Sequence, residues 1–277
     1  MFADCPNFTN VTFAEGMKYF KAESPFGHTP IAELDIPQTL TELEGLLDYS
    51  AVKTIDIPEW VTKITFRGFQ LTEIPALPGM TEVPQYCFMD CESLVDATLP
   101  VNAVTVGKNA LYGCDNLKTP VVPDKVTTMG QNSVAFCPNL EKVTFGTSLD
   151  EFGTGVFSQS NAIEYIEFTS PTAPHWYQLG DPTNTPETAG IFPDNVYENA
   201  LVVVPEGSLA NYQKQGWFRK FQHAQDSPTG VNDIVVGEVE APAEYFNLQG
   251  VQVSADAIVP GIYIVRRGNT TTKIAVR

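Results

Sequence analysis

Residues 140–160 read Leu140-Glu141-Lys142-Val143-Thr144-Phe145-Gly146-Thr147-Ser148-Leu149-Asp150-Glu151-Phe152-Gly153-Thr154-Gly155-Val156-Phe157-Ser158-Gln159-Ser160, and the spacing of their apolar residues decides the fold. The skeleton is Leu140, Val143, Phe145, Leu149, Phe152, Gly153, Phe157 and Ser160. One step of 23 residues upstream it recurs as Leu117, Val122, Val126, Met129, Gly130, Val134 and Cys137. Another step back gives Leu94, Leu99, Ala103, Val106, Gly107, Leu111 and Cys114. Downstream, Ile163, Ile166 and Phe168 open the next copy. Leu71, Leu94, Leu117, Leu140 and Ile163 keep the step, as do Cys91, Cys114 and Cys137. A fixed period of this size belongs to a stacked, quasi-one-dimensional chain.

Further upstream the copies loosen. Leu71, Ile74, Met80, Val83, Phe88 and Cys91 keep the full length. Val52, Ile55, Ile57, Val61 and Ile64 form a copy of 19 residues, and Ile31, Leu34, Ile36, Leu40 and Leu43 one of 21. Phe8, Val11, Phe13, Met17 and Phe20 form the first. Eight leading residues, from Phe8 to Ile163, thus define eight coils.

Counted from each leading residue, positions one, four and six are apolar. Positions four and six alternate as in a half-buried strand. Proline at position seven (Pro37, Pro58, Pro100, Pro123) ends the strand. A second short extended piece runs to position thirteen. Gly107, Gly130 and Gly153 follow it and are expected to supply a backbone conformation that side chains disfavour. A compact turn then leads to the cysteine position, and Asn7, Asn116 and Asn139 precede the next leading residue. One coil cannot bury its apolar face alone. Eight stacked at about 4.8 Å would enclose an apolar column on the order of 40 Å long.

Composition narrows the partners. Sixteen basic and 33 acidic residues leave a net charge of −17. That argues against nucleic acid, whose phosphates need basic patches, and against an anionic membrane surface. The apolar runs are too short to span a bilayer, so no membrane insertion is expected. The five cysteines (Cys5, Cys87, Cys91, Cys114, Cys137) are read as free thiols, mostly packed in the core. Cys87 and Cys91 have no second pair or histidine cluster to make a zinc site. His28, His175 and His223 stand near no catalytic motif. Neither a phosphate loop nor a nucleophile elbow occurs. No enzymatic activity and no cofactor are expected.

The string Phe136-Cys137-Pro138-Asn139-Leu140-Glu141-Lys142-Val143-Thr144-Phe145, with its early counterpart Phe2-Ala3-Asp4-Cys5-Pro6-Asn7-Phe8-Thr9-Asn10-Val11-Thr12-Phe13, resembles the BspA-like leucine-rich repeats of Bacteroidetes. The resemblance covers about residues 2–174. It implies a β-rich α/β fold: a right-handed leucine-rich-repeat solenoid of about eight coils with a divergent closing coil. It also implies a secreted or cell-surface setting and association with adhesion. No catalytic residue is carried over, because every position of the motif is structural. Met1 leads straight into the back end of a repeat without a signal-peptide pattern, so the start is read as trimmed.

The expected organisation is a solenoid over residues 1–223, with an insertion at 172–198 and a closing coil at 199–223. The closing coil carries Leu201-Val202-Val203-Val204 and the aromatic run Trp217-Phe218-Arg219-Lys220-Phe221. A linker at 224–243 and a small β module at 244–277 follow, the latter resembling a C-terminal module of exported Bacteroidetes proteins. Within the irregular stretch 41–70, residues 39–49 read as a short helix.

Two regions are candidates for contact with a partner. The outward positions three and five of the strand face carry Glu33, Asp35, Asp56, Glu73, Asp96, Tyr165 and Glu167. A protein partner with a basic patch, on the host or on another bacterium, fits this acidic face. The insertion offers Trp176 and Tyr177, which would serve as contact anchors or cover the end of the column. The alternatives are a glycan-binding accessory protein using those aromatics, and a purely structural surface protein.

Overall fold

The computed structural model describes residues 2–31, 33–46, 48–49, 56–176, 190–227, 244–246, 252–254, 261–267 and 270–276. The chain divides into two units, Met1–Asp226 and Ser227–Arg277.

In the first unit the repeat folds into stacked coils with hydrogen bonds on three sides. On the first side, Val121–Val122, Lys142–Phe145, Tyr165–Phe168, Leu201–Val204 and His223–Asp226 form one parallel sheet in that order. Its register is the repeat itself: Lys142 faces Tyr165 and Phe145 faces Phe168. Asn10–Thr12 and Glu33–Asp35 pair in the same way in the first two coils. The second side carries Glu82–Val83, Thr105–Val106, Thr128–Met129, Glu151–Phe152 and His175–Trp176. Its N-terminal counterpart is Tyr19–Lys21, Glu42–Glu44 and Lys63–Ile64.

Glu42–Glu44 is therefore a strand, not part of a helix. Leu40, Leu43 and Leu46, all fully buried, recur every three residues and mimic a helical stripe. They instead line successive corners of one coil, and ladder pairing to both neighbours overrides local propensity.

The third side is made of turns. Tyr86, Asn109, Asn132 and Gly155 form one 23-residue series, and Asp90, Gly113, Phe136 and Gln159 another. All eight have left-handed backbones, with φ between 53° and 71°. This geometry aims alternate amides at the next coil. Tyr86 N–H donates to Lys108 O at 3.0 Å, Phe88 to Ala110 O at 2.7 Å and Asp90 to Tyr112 O at 2.8 Å. Asn109, Leu111 and Gly113 repeat the set one coil on. A bulky residue such as Phe136 in this conformation costs about 1–2 kcal/mol.

Gly107, Gly130 and Gly153 play a different part from the one expected. None has a positive φ; each is needed for close approach. A Cβ on Gly107 would stand 2.5 Å from the amide nitrogen of Gln85, and one on Gly153 2.6 Å from that of Gln131.

Inside runs the apolar column. Leu71, Leu94, Leu117 and Leu140 are buried, with Cys91, Cys114 and Cys137 on one vertical line. The thiols donate to main-chain oxygens of the preceding coil: Cys91 to Phe66 O at 3.0 Å, Cys114 to Phe88 O at 3.1 Å and Cys137 to Leu111 O at 3.3 Å. Ser160 continues the line, its hydroxyl donating to Val134 O at 2.9 Å. Burial raises all four buried thiols, Cys91 and Cys137 to about 12. Below the ordinary thiol range, folded and unfolded chains both keep these protons. Above it only the unfolded chain releases them, so stability falls as pH rises past about 8.5. Denaturation midpoints measured from pH 7.5 to 10.5 should decline, and Cys114→Ser should make the decline shallower. An unchanged midpoint over that range would count against a buried thiol column.

The region from 172 to 198 is less of an interruption than expected. His175–Trp176 continues the second ladder, and Phe157 N–H donates to Ile191 O at 2.9 Å, continuing the third side. Tyr165 and its register partner Leu201 are 36 residues apart, where Lys142 and Tyr165 are 23 apart. The helix Asp194–Asn199 leads back to the first ladder. Residues 224–226, expected to open the linker, belong instead to the last strand of the solenoid, pairing with Val202, Val203 and Val204.

The column is closed at this end by aromatic rings. Tyr212, Trp217 and Phe218 are buried. Tyr212 Oη donates to Ser170 O at 2.8 Å, and the Trp217 indole N–H to Pro174 O at 3.3 Å. Trp217 meets Phe152 edge-on with centroids 5.7 Å apart.

The second unit contains an antiparallel sheet ordered Gln252–Val253, Glu244–Phe246, Gly261–Arg267, Thr270–Val276. The last two strands pair from Gly261 with Val276 to Arg267 with Thr270.

Candidate functional site

Strand alternation turns positions three and five of each coil outward. Asp35, Asp56, Glu73 and Asp96 are exposed there, and none takes part in an ion pair among the described residues. Asp96 accepts a hydrogen bond from the Thr119 hydroxyl of the next coil. Glu33 lies in register with Asn10 at position three of the second coil.

The later coils differ. Lys118 Nζ stands 2.9 Å from Glu141 Oε1, and Lys142 Nζ 3.2 Å from Glu167 Oε2. Lys142 also lies 4.8 Å from the centre of the Tyr165 ring. Tyr165 and Glu167 are thus half-buried and tied to one lysine. Among the described residues the outward face divides into an acidic half without ion pairs, coils two to five, and an internally paired half, coils six to eight.

The aromatics of 172–198 mostly serve the column. Trp176 is half-buried and packs on the core. Phe192 stacks on Phe157 with centroids 4.7 Å apart, and Tyr197 is buried beside Phe221. Tyr177 lies outside the described residues. Near this end a polar cleft of about 400 Å³ opens between Ser148, Asp150 and His175 on one side and Asn211, Lys214 and Gln215 on the other.

The turn side holds groups that sequence reading passed over. The Arg67 guanidinium lies 5.7 Å from the centre of the Tyr49 ring and 5.9 Å from that of Tyr86. Asp48 accepts from the Thr65 hydroxyl at 3.0 Å and from the Arg67 N–H at 3.2 Å. Burial nevertheless lifts its carboxyl above the usual range. Asp90 follows one coil after Arg67, then Gly113, then Phe136, whose ring is tilted by 35° against that of Tyr112 with centroids 4.9 Å apart. The available signal was the column of Asp90, Gly113, Phe136 and Gln159 one residue before each Cys or Ser. Their unlike chemistry concealed a shared backbone. Among the described residues no group of three or more His, Cys, Asp or Glu is placed to hold a metal ion.

Residues 1–79 and 64–174 match the family model for the BspA type leucine rich repeat region, in six copies. Among solved structures, the chain is similar to a leucine-rich repeat protein from Bacteroides ovatus, with 18% identity and a TM-score of 0.56 over 82% of this chain and 56% of that one. It therefore spans little more than half the length of that protein, and the likeness is one of fold. A leucine rich cell surface protein from Faecalibacterium prausnitzii aligns at 16% identity and a TM-score of 0.38, over 82% of this chain and 62% of that one. The pneumococcal vaccine antigen PcpA aligns at 13% and 0.34, over 83% and 68%. No curated protein matches the chain significantly.

Proposed function

Taking as premise that the chain belongs to the BspA-type leucine-rich repeat family, we propose that it is a non-catalytic interaction module displayed outside the cell. Its partner is a host or bacterial surface protein with a basic patch, engaged through the acidic half of the strand face. One observation carries this reading: among the described residues, the exposed carboxylates of Asp35, Asp56, Glu73 and Asp96 take part in no ion pair, while neighbouring coils on the same face pair theirs internally. Such a field steers a basic partner and is screened by salt. Display outside the cell rests on the family. Among the described residues no helix is long and apolar enough to cross a membrane.

The reading through Trp176 gains less support, because that ring packs on the column. Biolayer interferometry against a panel of host matrix and bacterial surface proteins, at low and physiological salt, tests the proposal. A partner is expected to bind more weakly as salt rises. The combined Asp56→Asn, Glu73→Gln and Asp96→Asn variant should weaken it at least tenfold. A panel with no binder, or a binder indifferent to the triple variant, would remove the strand face from consideration.

A further inference from the structure

The turn side of coils three to six brings together two aromatic rings and a carboxylate. Phe136 is 44% exposed although its backbone is left-handed. That conformation is rare for a bulky side chain, and such outliers concentrate at functional sites. The Tyr112 ring lies beside it, tilted by 35° with centroids 4.9 Å apart. One coil before Phe136 in the same series is Gly113, where a Cβ would stand 2.7 Å from Asp90 Oδ1. The carboxylate therefore leans over the half-buried main chain of Gly113, one coil from Phe136 in the same series. Arg67, stacked with Tyr86, acts electrostatically on Asp90 and extends the polar line by another coil.

We infer that Tyr112, Phe136 and Asp90 form a binding site for a neutral oligosaccharide. The weakly positive C–H face of a pyranose complements the negative face of an aromatic ring. Its hydroxyls need acceptors within reach, and Asp90 supplies two carboxylate oxygens. Neutral sugars are specified because a chain of net charge −17 repels anionic ones. This site is on another side of the coil from the acidic strand face and does not rest on it.

The test is a glycan array of neutral and acidic oligosaccharides probed with the full chain, with a peptide array probed in parallel. Any glycan hit is then titrated by calorimetry. A subset of neutral glycans should respond. Phe136→Asn and Tyr112→Ala should each weaken the hit at least tenfold, and Asp90→Asn severalfold. Asparagine tolerates the left-handed conformation, so Phe136→Asn should also melt higher than the native chain, which separates lost binding from lost folding. Silence on the glycan array overturns the proposal. So does a glycan response unchanged by both ring variants, one confined to acidic sugars, or a peptide response that alone depends on Phe136.

Discussion

Trp217→Ala should destabilise the chain by about 3–5 kcal/mol, the range for deleting a fully buried large aromatic, and lower the melting temperature by roughly 10 °C. Trp217 has no exposed surface, and Phe152, Phe168, Phe218 and Phe221 all lie around it. Its indole N–H also holds the carbonyl of Pro174, on the segment leading into the last strand of the second ladder. Alanine would leave a cavity at the end of the column and an open path for water along it. Because each coil rests on its neighbours, the damage should be graded by distance. Hydrogen exchange should show the amides of Leu201–Val204 and His223–Asp226 losing protection first, with Thr105–Val106 least affected. Uniform loss of protection, or a cost below about 1 kcal/mol, a typical value for an unremarkable substitution, would show that Trp217 does not close the column.

Gly130→Ala should be a damaging single methyl addition in the middle coils, costing about 2–3 kcal/mol as overpacking does. The new Cβ would meet the carbonyl carbon of Gly107 and the amide nitrogen of Lys108 at 2.8 Å, and the oxygen of Val106 at 2.9 Å. All three are main-chain atoms of the preceding coil, so no side chain can swing away. Relief requires the coils to part, which stretches the 2.7 Å bond from Gly130 N–H to Val106 O. Gly207→Ala is the contrast. Gly207 has φ +72° with nothing within 4 Å of a Cβ, so only backbone strain of about 1 kcal/mol is at stake. Urea midpoints of the two variants decide the matter. If Gly207→Ala costs as much as Gly130→Ala, conformation rather than coil spacing explains the repeated glycines.

That contrast shows where sequence reading stopped. Leu71, Leu94, Leu117 and Leu140 announced the solenoid because burial on a repeating backbone leaves a periodic apolar trace. Both strand ladders followed from the alternation at Val143, Phe145 and Phe152. Gly130 also announced itself, but its reason depends on the distance to another coil, which no local pattern encodes. The left-handed series through Asp90, Gly113, Phe136 and Gln159 left almost no trace, since residues of four kinds adopt one backbone. Leu40, Leu43 and Leu46 misled because a corner-lining coil and a helix can share a spacing of three. For the candidate surfaces, alternation identified the outward residues. It could not show that Lys142 engages both Tyr165 and Glu167 while Glu73 has no ion pair among the described residues. Nor could it bring Arg67 to Tyr49 and Tyr86, whose meeting depends on the irregular lengths of coils two and three.

The common register of the ladders has a genetic corollary. Asn116 precedes Leu117 and Asn139 precedes Leu140, so excising residues 117–139 would join Asn116 to Leu140 in an unchanged local setting. Strand partners, thiol line and left-handed turns would all meet equivalents one storey away. Unequal recombination between the stretches encoding these coils can therefore shorten or lengthen the rod by whole storeys without a frame of misfit. The outward face would then be edited in discrete tiles, each loss or gain carrying its own outward residues with it.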